Sequence, residues 1–251
     1  VYMTLYANCL TMAWVMLAMV KVFGTVFDVG TLEATLFAAA ITLAYSMLSG
    51  LWGVVVTDLV QFLLAMVGAI VLAVFAVEAV GGIGPMLEGI RATTGAEVLG
   101  FLPRLADGGP TTSTGTWWGN ALAWSATPVA TFLVLVTLQW WANKNADGGA
   151  VVIQRMAASR DERESVLATL WFQVANYALR PWPWILVALA SLVVFPDLAS
   201  IQARFPNLSP GILGHDLAYP AMLTYLPSGL LGLAVASLAA AYMSTISTHL
   251  N

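Results

Sequence analysis

The chemistry that this sequence could support is concentrated near its end, where four hydroxyl residues lie within five positions: Ser244, Thr245, Ser247 and Thr248. Hydroxyl and carbonyl oxygens are hard ligands, which suit hard cations. Four positions share one face of a helix at the spacings i, i+3, i+4 and i+7: Ala241, Ser244, Thr245 and Thr248. In apolar helices such hydroxyls also bond the carbonyl oxygen four residues earlier, so a structural role is the alternative to a cation site.

Two ionisable residues lie inside other apolar segments. Asp58 lies about two turns into one segment, and Arg180 lies in the middle of another, directly before Pro181. Because a bilayer makes an ionisable group costly, each is a candidate functional residue. Asn176 lies one turn before Arg180 on the same helical face. The structural alternatives are a protonated or hydrogen-bonded Asp58 and an Arg180 that bridges helices or bonds carbonyl groups freed by the prolines.

The composition determines the elements that must position these residues. Hydrophobic residues make up 60% of the 251 positions and charged residues 9%, whereas soluble domains carry about 25% charged residues. A membrane span needs roughly 20 apolar residues, and six windows qualify: 3–24, 31–48, 51–77, 117–141, 166–195 and 227–250. These runs are too long for barrel strands, so the sequence predicts an all-α polytopic membrane protein.

The basic residues indicate how the spans are oriented. Four of the nine Lys and Arg residues lie between the fourth and fifth windows: Lys144, Arg155, Arg160 and Arg163. This excess predicts that the loop is cytoplasmic. We expect the protein to be a multi-pass component of the plasma (inner) membrane. The chain begins and ends within apolar helical patterns, so we expect it to be part of a longer polypeptide. Nothing in it indicates a nucleic-acid partner.

Three stretches, taken in order, resemble motifs of the sodium:solute symporter family. The first is Tyr45-Ser46 followed by Ser49-Gly50, Thr57-Asp58 and Gln61, and the second is Gln154-Arg155 followed by Ala157-Ala158 and a charged run. The third is the segment 226–245, with Leu226-Pro227 at its start and Met243-Ser244-Thr245 at its end. The resemblance covers nearly the whole chain and identifies residues 1–251 as an incomplete transmembrane domain of this family.

The resemblance implies part of a core of two inverted five-helix repeats, of which this chain would carry helices three to eight. It also implies sodium as the coupling ion and no other cofactor. By the resemblance, the sodium ligands are the carbonyl oxygen of Ala241 and the hydroxyl groups of Ser244 and Thr245. A second cation site, which some members have, corresponds to Asp58, Ser247 and Thr248.

The family's substrate residues correspond less closely to this sequence. Trp140 and Trp141 resemble the aromatic inner gate of sugar transporters, and Asn176 falls where sugar-transporting members have a substrate-contacting Lys. A carboxylate substrate would suit Arg180, and a neutral sugar or polyol is the alternative. The implied activity is sodium-driven transport of a small polar solute across the lipid bilayer by alternating access.

Two other functions are considered from the sequence. One is a sensor, in which a symporter-like module is joined to a signalling domain elsewhere in the parent protein. The other is a membrane enzyme that uses His215, Asp216 or His249, but a second catalytic group at membrane depth is not evident. We therefore expect that the protein is not an enzyme.

Overall fold

The computed structural model describes residues 2–46, 51–100, 116, 128–139 and 149–250. Every regular element in these residues is helical, which confirms the predicted all-α class. The chain divides into two compact units, one formed by Val1–Thr93 with Asn176–Asn251 and the other by Thr94–Ala175. Trp140 and Trp141, the residues predicted to form an inner gate, lie outside the described residues.

The α-helices of the described chain have the following bounds: α1 Tyr2–Phe27, α2 Thr31–Ser46, α3 Leu51–Ala79, α4 Ile83–Thr93, α5 Pro128–Val134, α6 Gly149–Ala157, α7 Glu162–Val174, α8 Pro181–Val194, α9 Leu198–Arg204, α10 Ala218–Leu223 and α11 Ser228–Leu250. Two short π-helical segments, Leu135–Gln139 and Ala175–Leu179, follow α5 and α7. The second π segment ends just before Arg180-Pro181. A proline at that point removes a backbone donor and displaces the preceding turn, which accounts for the change of helical pitch.

Four stretches of the described chain are long and apolar enough to cross a membrane: Leu5–Phe27, Val56–Ala79, Glu162–Val194 and Ser228–His249. They fall in four of the six predicted windows. The remaining windows, 31–48 and 117–141, contain the shorter apolar helices Thr31–Ala44 and Val129–Leu138. These lengths and compositions agree with a multi-pass membrane protein.

In the first unit, α11 packs mainly against α3 and also against α1 and α2. Small residues allow this approach. A Cβ atom built on Gly68 of α3 would lie 2.9 Å from Ser237 Oγ and 3.5 Å from Ala234 Cα of α11. Helices in lipid associate through this kind of close backbone contact. α8 also packs against α3, so α3 is an element that brings α8 and α11 to one place.

The end of α1 contacts the segment between α9 and α10. Asp28 has a left-handed backbone with φ of 55°, and its Oδ2 accepts a hydrogen bond of 2.8 Å from Asn207 Nδ2. Gly24 lies one helical turn before Asp28 and leaves room for Leu208 to pack. A Cβ atom built on Gly24 would lie only 3.2 Å from the Leu208 side chain.

An ion pair of 2.6 Å joins Lys21 Nζ of α1 to Asp216 Oδ2, and the two side chains are 10% and 66% exposed. This asymmetry gives a prediction. Asp216→Asn should destabilise the protein by about 1–3 kcal/mol, because it leaves a buried ammonium group without its charged partner. Lys21→Met should cost less, because Asp216 keeps its hydration. Thermal unfolding in detergent measures which variant loses more stability. A larger loss of stability for Lys21→Met than for Asp216→Asn would contradict the prediction.

In the second unit, α6 packs against α7. Asp161 caps the start of α7, where its Oδ1 accepts a hydrogen bond of 2.8 Å from the backbone N–H of Glu164. Carboxylates are favoured in this position because they satisfy free amide groups and the positive end of the helix. The cap thus begins α7 within the charged segment that the sequence assigns to the cytoplasm.

Candidate functional site

The hydroxyl residues of α11 bond mainly to their own helix. Thr245 Oγ1 donates to the carbonyl oxygen of Ala241 at 3.1 Å, and Ser247 Oγ donates to the carbonyl oxygen of Ser244 at 3.1 Å. Membrane Ser and Thr side chains commonly make such bonds. A hydroxyl group that donates its hydrogen still has oxygen lone pairs, so these bonds are compatible with cation binding.

The hydroxyl group of Ser244 reaches another helix. Its Oγ donates a hydrogen bond to Asp58 Oδ1 of α3. The close packing of α3 and α11 at Gly68 and Ser237, about three turns away along α3, brings the two helices near enough for this contact. The structure therefore places a carboxyl group next to the oxygen-rich face of α11.

These groups line a cavity of about 230 Å³, which we call the hydroxyl cavity. Its polar lining comes from α3, α11 and the segment around α8 and α10: Asp58, Gln61, Ser237, Ser244, Thr245, Arg180, Trp184 and Tyr219. Ala241 also lines it. Hydroxyl, carbonyl and carboxylate oxygens facing one small volume are a ligand set for a hard cation.

Gln61, one turn after Asp58, is a further polar group of this cavity. Its Oε1 is buried and has no hydrogen-bond partner among the described residues. A buried acceptor without a donor is costly, so this amide marks a position where a donor would be stabilising. A solute hydroxyl group or another part of the protein could supply one.

Arg180 forms a cluster at the start of α8. Its Nη1 donates to Asn176 Oδ1 at 3.2 Å, and its guanidinium carbon lies 5.4 Å from the centre of the Trp184 ring. Trp184 stacks on Tyr219 of α10, with ring centroids 5.3 Å apart and an interplanar angle of 28°. Burial raises the pKa of Tyr219 to about 12, so its hydroxyl group stays protonated at neutral pH.

The same cluster lines a second, more open cavity of about 810 Å³, which we call the arginine cavity. Its polar lining consists of Lys21, Asn176, Arg180, Trp184, Asp216 and Tyr219. Arg180, Trp184 and Tyr219 therefore face both cavities. Arg180 could therefore contact a solute in either cavity.

The structure brings most of the predicted site residues together. Ala241, Ser244, Thr245 and Arg180 line the hydroxyl cavity with Asp58, although the sequence assigned Asp58 to a second cation site. Ser247 is buried, and within the described chain neither it nor Thr248 is among the residues that line the cavity. The second site therefore stays a prediction.

Two aromatic residues of the site, Trp184 and Tyr219, were not predicted from the sequence. Trp184 lies four residues after Arg180, and this spacing on a helix could have indicated a contact. Tyr219 had no such signal, because it comes from a short helix that only the tertiary fold brings to α8. Both residues belong to the lining of each cavity.

Two of the three residues considered for a catalytic role, Asp216 and His249, are engaged in other contacts. Asp216 pairs with Lys21, and His249 Nδ1 lies 3.0 Å from Asn8 Oδ1 at the start of α1. In the described part of the chain, no group of three or more His, Cys, Asp or Glu side chains could hold a metal ion. The contact between His249 of α11 and Asn8 of α1 is of the kind that polar residues on neighbouring helices make in membranes.

Comparison with known proteins gives a family match over the whole chain. The model of the sodium:solute symporter family matches residues 1–251. A sodium/mannose cotransporter of Bos taurus is 28% identical over 235 residues, which cover 87% of this chain and 36% of that protein. The sodium/myo-inositol cotransporter 2 of Homo sapiens is 26% identical, covering 91% of this chain and 34% of that protein.

A bacterial relative shows similar identity. The sodium/glucose cotransporter of Vibrio parahaemolyticus is 26% identical over 231 residues, covering 90% of this chain and 40% of that protein. The chain thus spans between a third and two fifths of the length of these relatives. No solved structure matches the chain significantly.

Proposed function

Because the chain belongs to the sodium:solute symporter family, we propose that it forms part of a sodium-coupled transporter for a small polar solute. The coupling sodium ion binds in the hydroxyl cavity. The observation that carries this proposal is the hydrogen bond from Ser244 on α11 to Asp58 on α3, beside Ala241 and Thr245. It joins an oxygen ligand of α11 to a carboxyl group of α3 in the lining of one cavity.

The proposed coupling follows from the position of the site between helices. A cation that binds α3 and α11 together favours one arrangement of the helices over another, and it can shift that equilibrium only by its difference in affinity. In alternating access, sodium and solute bind while the site is open to the outside and leave when it opens inward. The protein would act in the plasma (inner) membrane within a core of inverted repeats.

The relatives indicate the solute class. Their names specify mannose, myo-inositol and glucose, so a hydroxylated solute related to a sugar or polyol is the proposed substrate. Asn176 and Arg180, which face the arginine cavity, are the proposed contacts. Trp140 and Trp141 are proposed to act as the inner gate.

Uptake by the full-length protein in liposomes tests the transport proposal. With an inward sodium gradient, we expect accumulation of a labelled hydroxylated solute, and replacement of sodium by choline should abolish it. A potassium gradient of the same size is the ionic control. Accumulation that is equal in sodium and choline would contradict sodium coupling.

Variants of two α11 hydroxyl groups test the cation site. Ser244→Ala and Thr245→Val each remove one ligand, so each should raise the sodium concentration for half-maximal uptake by about 3- to 30-fold, equivalent to about 0.7–2 kcal/mol. Expression should be unchanged. Unchanged sodium dependence in both variants would contradict the site.

Thr42→Val is the matched control for Thr245→Val. Thr42 Oγ1 of α2 donates to the carbonyl oxygen of Ala38 at 2.8 Å, so this variant loses the same kind of intrahelical bond away from the cavity. The sodium dependence of uptake should therefore stay at the wild-type value.

A further inference from the structure

Arg180 has no carboxylate partner in the described chain. The salt bridge between described residues joins Lys21 to Asp216, whereas Arg180 contacts the neutral side chains of Asn176 and Trp184. Arg180 is exposed and lines both cavities. Arginine stays charged at all relevant pH values and presents a planar set of donors that matches a carboxylate.

The charged residues that line the two cavities, together with a bound sodium ion, carry one positive charge in excess. Among the described residues lining the hydroxyl cavity, Asp58 is negative and Arg180 is positive, so a bound sodium ion would leave one positive charge in excess. In the arginine cavity, Asp216 balances Lys21, which again leaves the charge of Arg180. A solute with a single negative charge would make both cavities neutral.

The groups around Arg180 suit a hydroxylated molecule. The stacked rings of Trp184 and Tyr219 offer an apolar surface, and the Asn176 amide and the Tyr219 hydroxyl group lie in the same cavity lining. Aromatic surfaces with a few convergent polar groups are typical of small-molecule sites. The site therefore combines a carboxylate-binding cation with donors and acceptors for hydroxyl groups.

We propose that the solute is a small polyhydroxy carboxylate, such as a sugar acid, whose carboxylate group binds Arg180 beside the sodium ion. This inference rests on the proposed sodium-coupled transport and names the substrate class of that site. It also separates this protein from its named relatives, whose named sugar and polyol solutes are neutral. Because sodium and the carboxylate attract each other, each raises the affinity of the other by the same factor.

Matched pairs of compounds test the proposal with the purified full-length protein. The pairs are glucuronate with glucose and gluconate with sorbitol, and tryptophan fluorescence reports binding in sodium and in choline. In sodium, each acid should bind at least about tenfold more tightly than its neutral partner, as expected for a charge-assisted bidentate contact. Replacing sodium should weaken binding of the acid more than binding of its neutral partner, because only the acid loses the direct attraction to the cation.

Variants of Arg180 identify the group responsible. Arg180→Gln should remove the preference for the acid, with a loss of about tenfold or more in its affinity, and Arg180→Lys should retain part of it. Arg204→Gln, which removes an exposed arginine at the end of α9, is the charge control and should keep the wild-type preference. Stabilisation by sodium in thermal unfolding should persist in all three variants.

The outcomes separate this inference from the transport proposal. If sodium stabilises the wild-type protein but acids and neutral partners bind equally, or Arg180→Gln weakens both equally, the carboxylate inference is wrong and sodium coupling stands. If sodium affects neither stability nor uptake, sodium coupling is wrong. A preference for the acid that depends on Arg180 but not on sodium would keep the carboxylate contact and contradict the coupling.

Discussion

Replacing Asp58 with Asn is expected to cause the largest loss of sodium coupling. The amide has nearly the shape of the carboxyl group and can still accept the hydrogen bond from Ser244, so the main change is the loss of a negative charge. Two unit charges about 4 Å apart interact by about 4 kcal/mol at an effective dielectric constant of about 20. The sodium concentration for half-maximal uptake should rise at least about tenfold, which corresponds to about 1.4 kcal/mol.

Glu78→Gln provides the matched control for Asp58→Asn. Glu78 lies on the same helix as Asp58, at the opposite end of α3, and is exposed. This variant removes the same charge from α3 without touching the hydroxyl cavity, and we expect wild-type sodium dependence. If Asp58→Asn also kept wild-type dependence, the carboxyl group would have no part in cation binding.

The sequence predicted the residues of this site better than their contacts. The spacing of Ala241, Ser244 and Thr245 places them on one face of a helix, and Asp58 was identified by the cost of an ionisable group in an apolar segment. Helical periodicity gives the face of one helix but not the neighbour that this face meets. The contact between Asp58 and Ser244 depends on how α3 and α11 cross, which local sequence does not determine.

Helical periodicity likewise predicts only part of the aromatic contacts in the site. The prolines that follow Arg180 predicted carbonyl groups freed from helical bonding, and the structure has a π-helical segment directly before Arg180. The contact of Arg180 with Trp184 follows from helical spacing. The stacking of Trp184 on Tyr219 joins residues 35 positions apart in the sequence, and only long-range packing brings them together.

The packing that forms the site leads to the second prediction, which concerns Gly68. Gly68→Val should destabilise the protein by about 1–3 kcal/mol or more, because overpacking a tight contact forces the backbones apart. The new Cβ atom would lie 2.9 Å from Ser237 Oγ and 3.5 Å from the backbone of α11 at Ala234. Thermal unfolding and the yield of monodisperse protein in detergent measure the effect.

Two variants with smaller changes in side-chain size show whether the contact between Gly68 and Ser237 causes the loss of stability. Gly68→Ala should destabilise less than Gly68→Val, and Ser237→Ala should restore most of that loss when the two are combined, because it removes the hydroxyl group that the new methyl group meets. Gly232→Ala on α11 is the control, since apart from its chain neighbours and its own helix backbone nothing lies within 4 Å of its Cβ position. It should be neutral or stabilising, as replacement of a helical glycine usually is.

Loss of close packing at Gly68 should also impair the site about three turns away. If α3 and α11 are forced apart, Ser244 can no longer reach Asp58, and stabilisation by sodium should fall together with the melting temperature. If Gly68→Val lowers the melting temperature but leaves sodium stabilisation intact, the cation site does not depend on this helix contact. The carboxyl and hydroxyl groups would then be positioned by α11 and its other neighbours, α1 and α2.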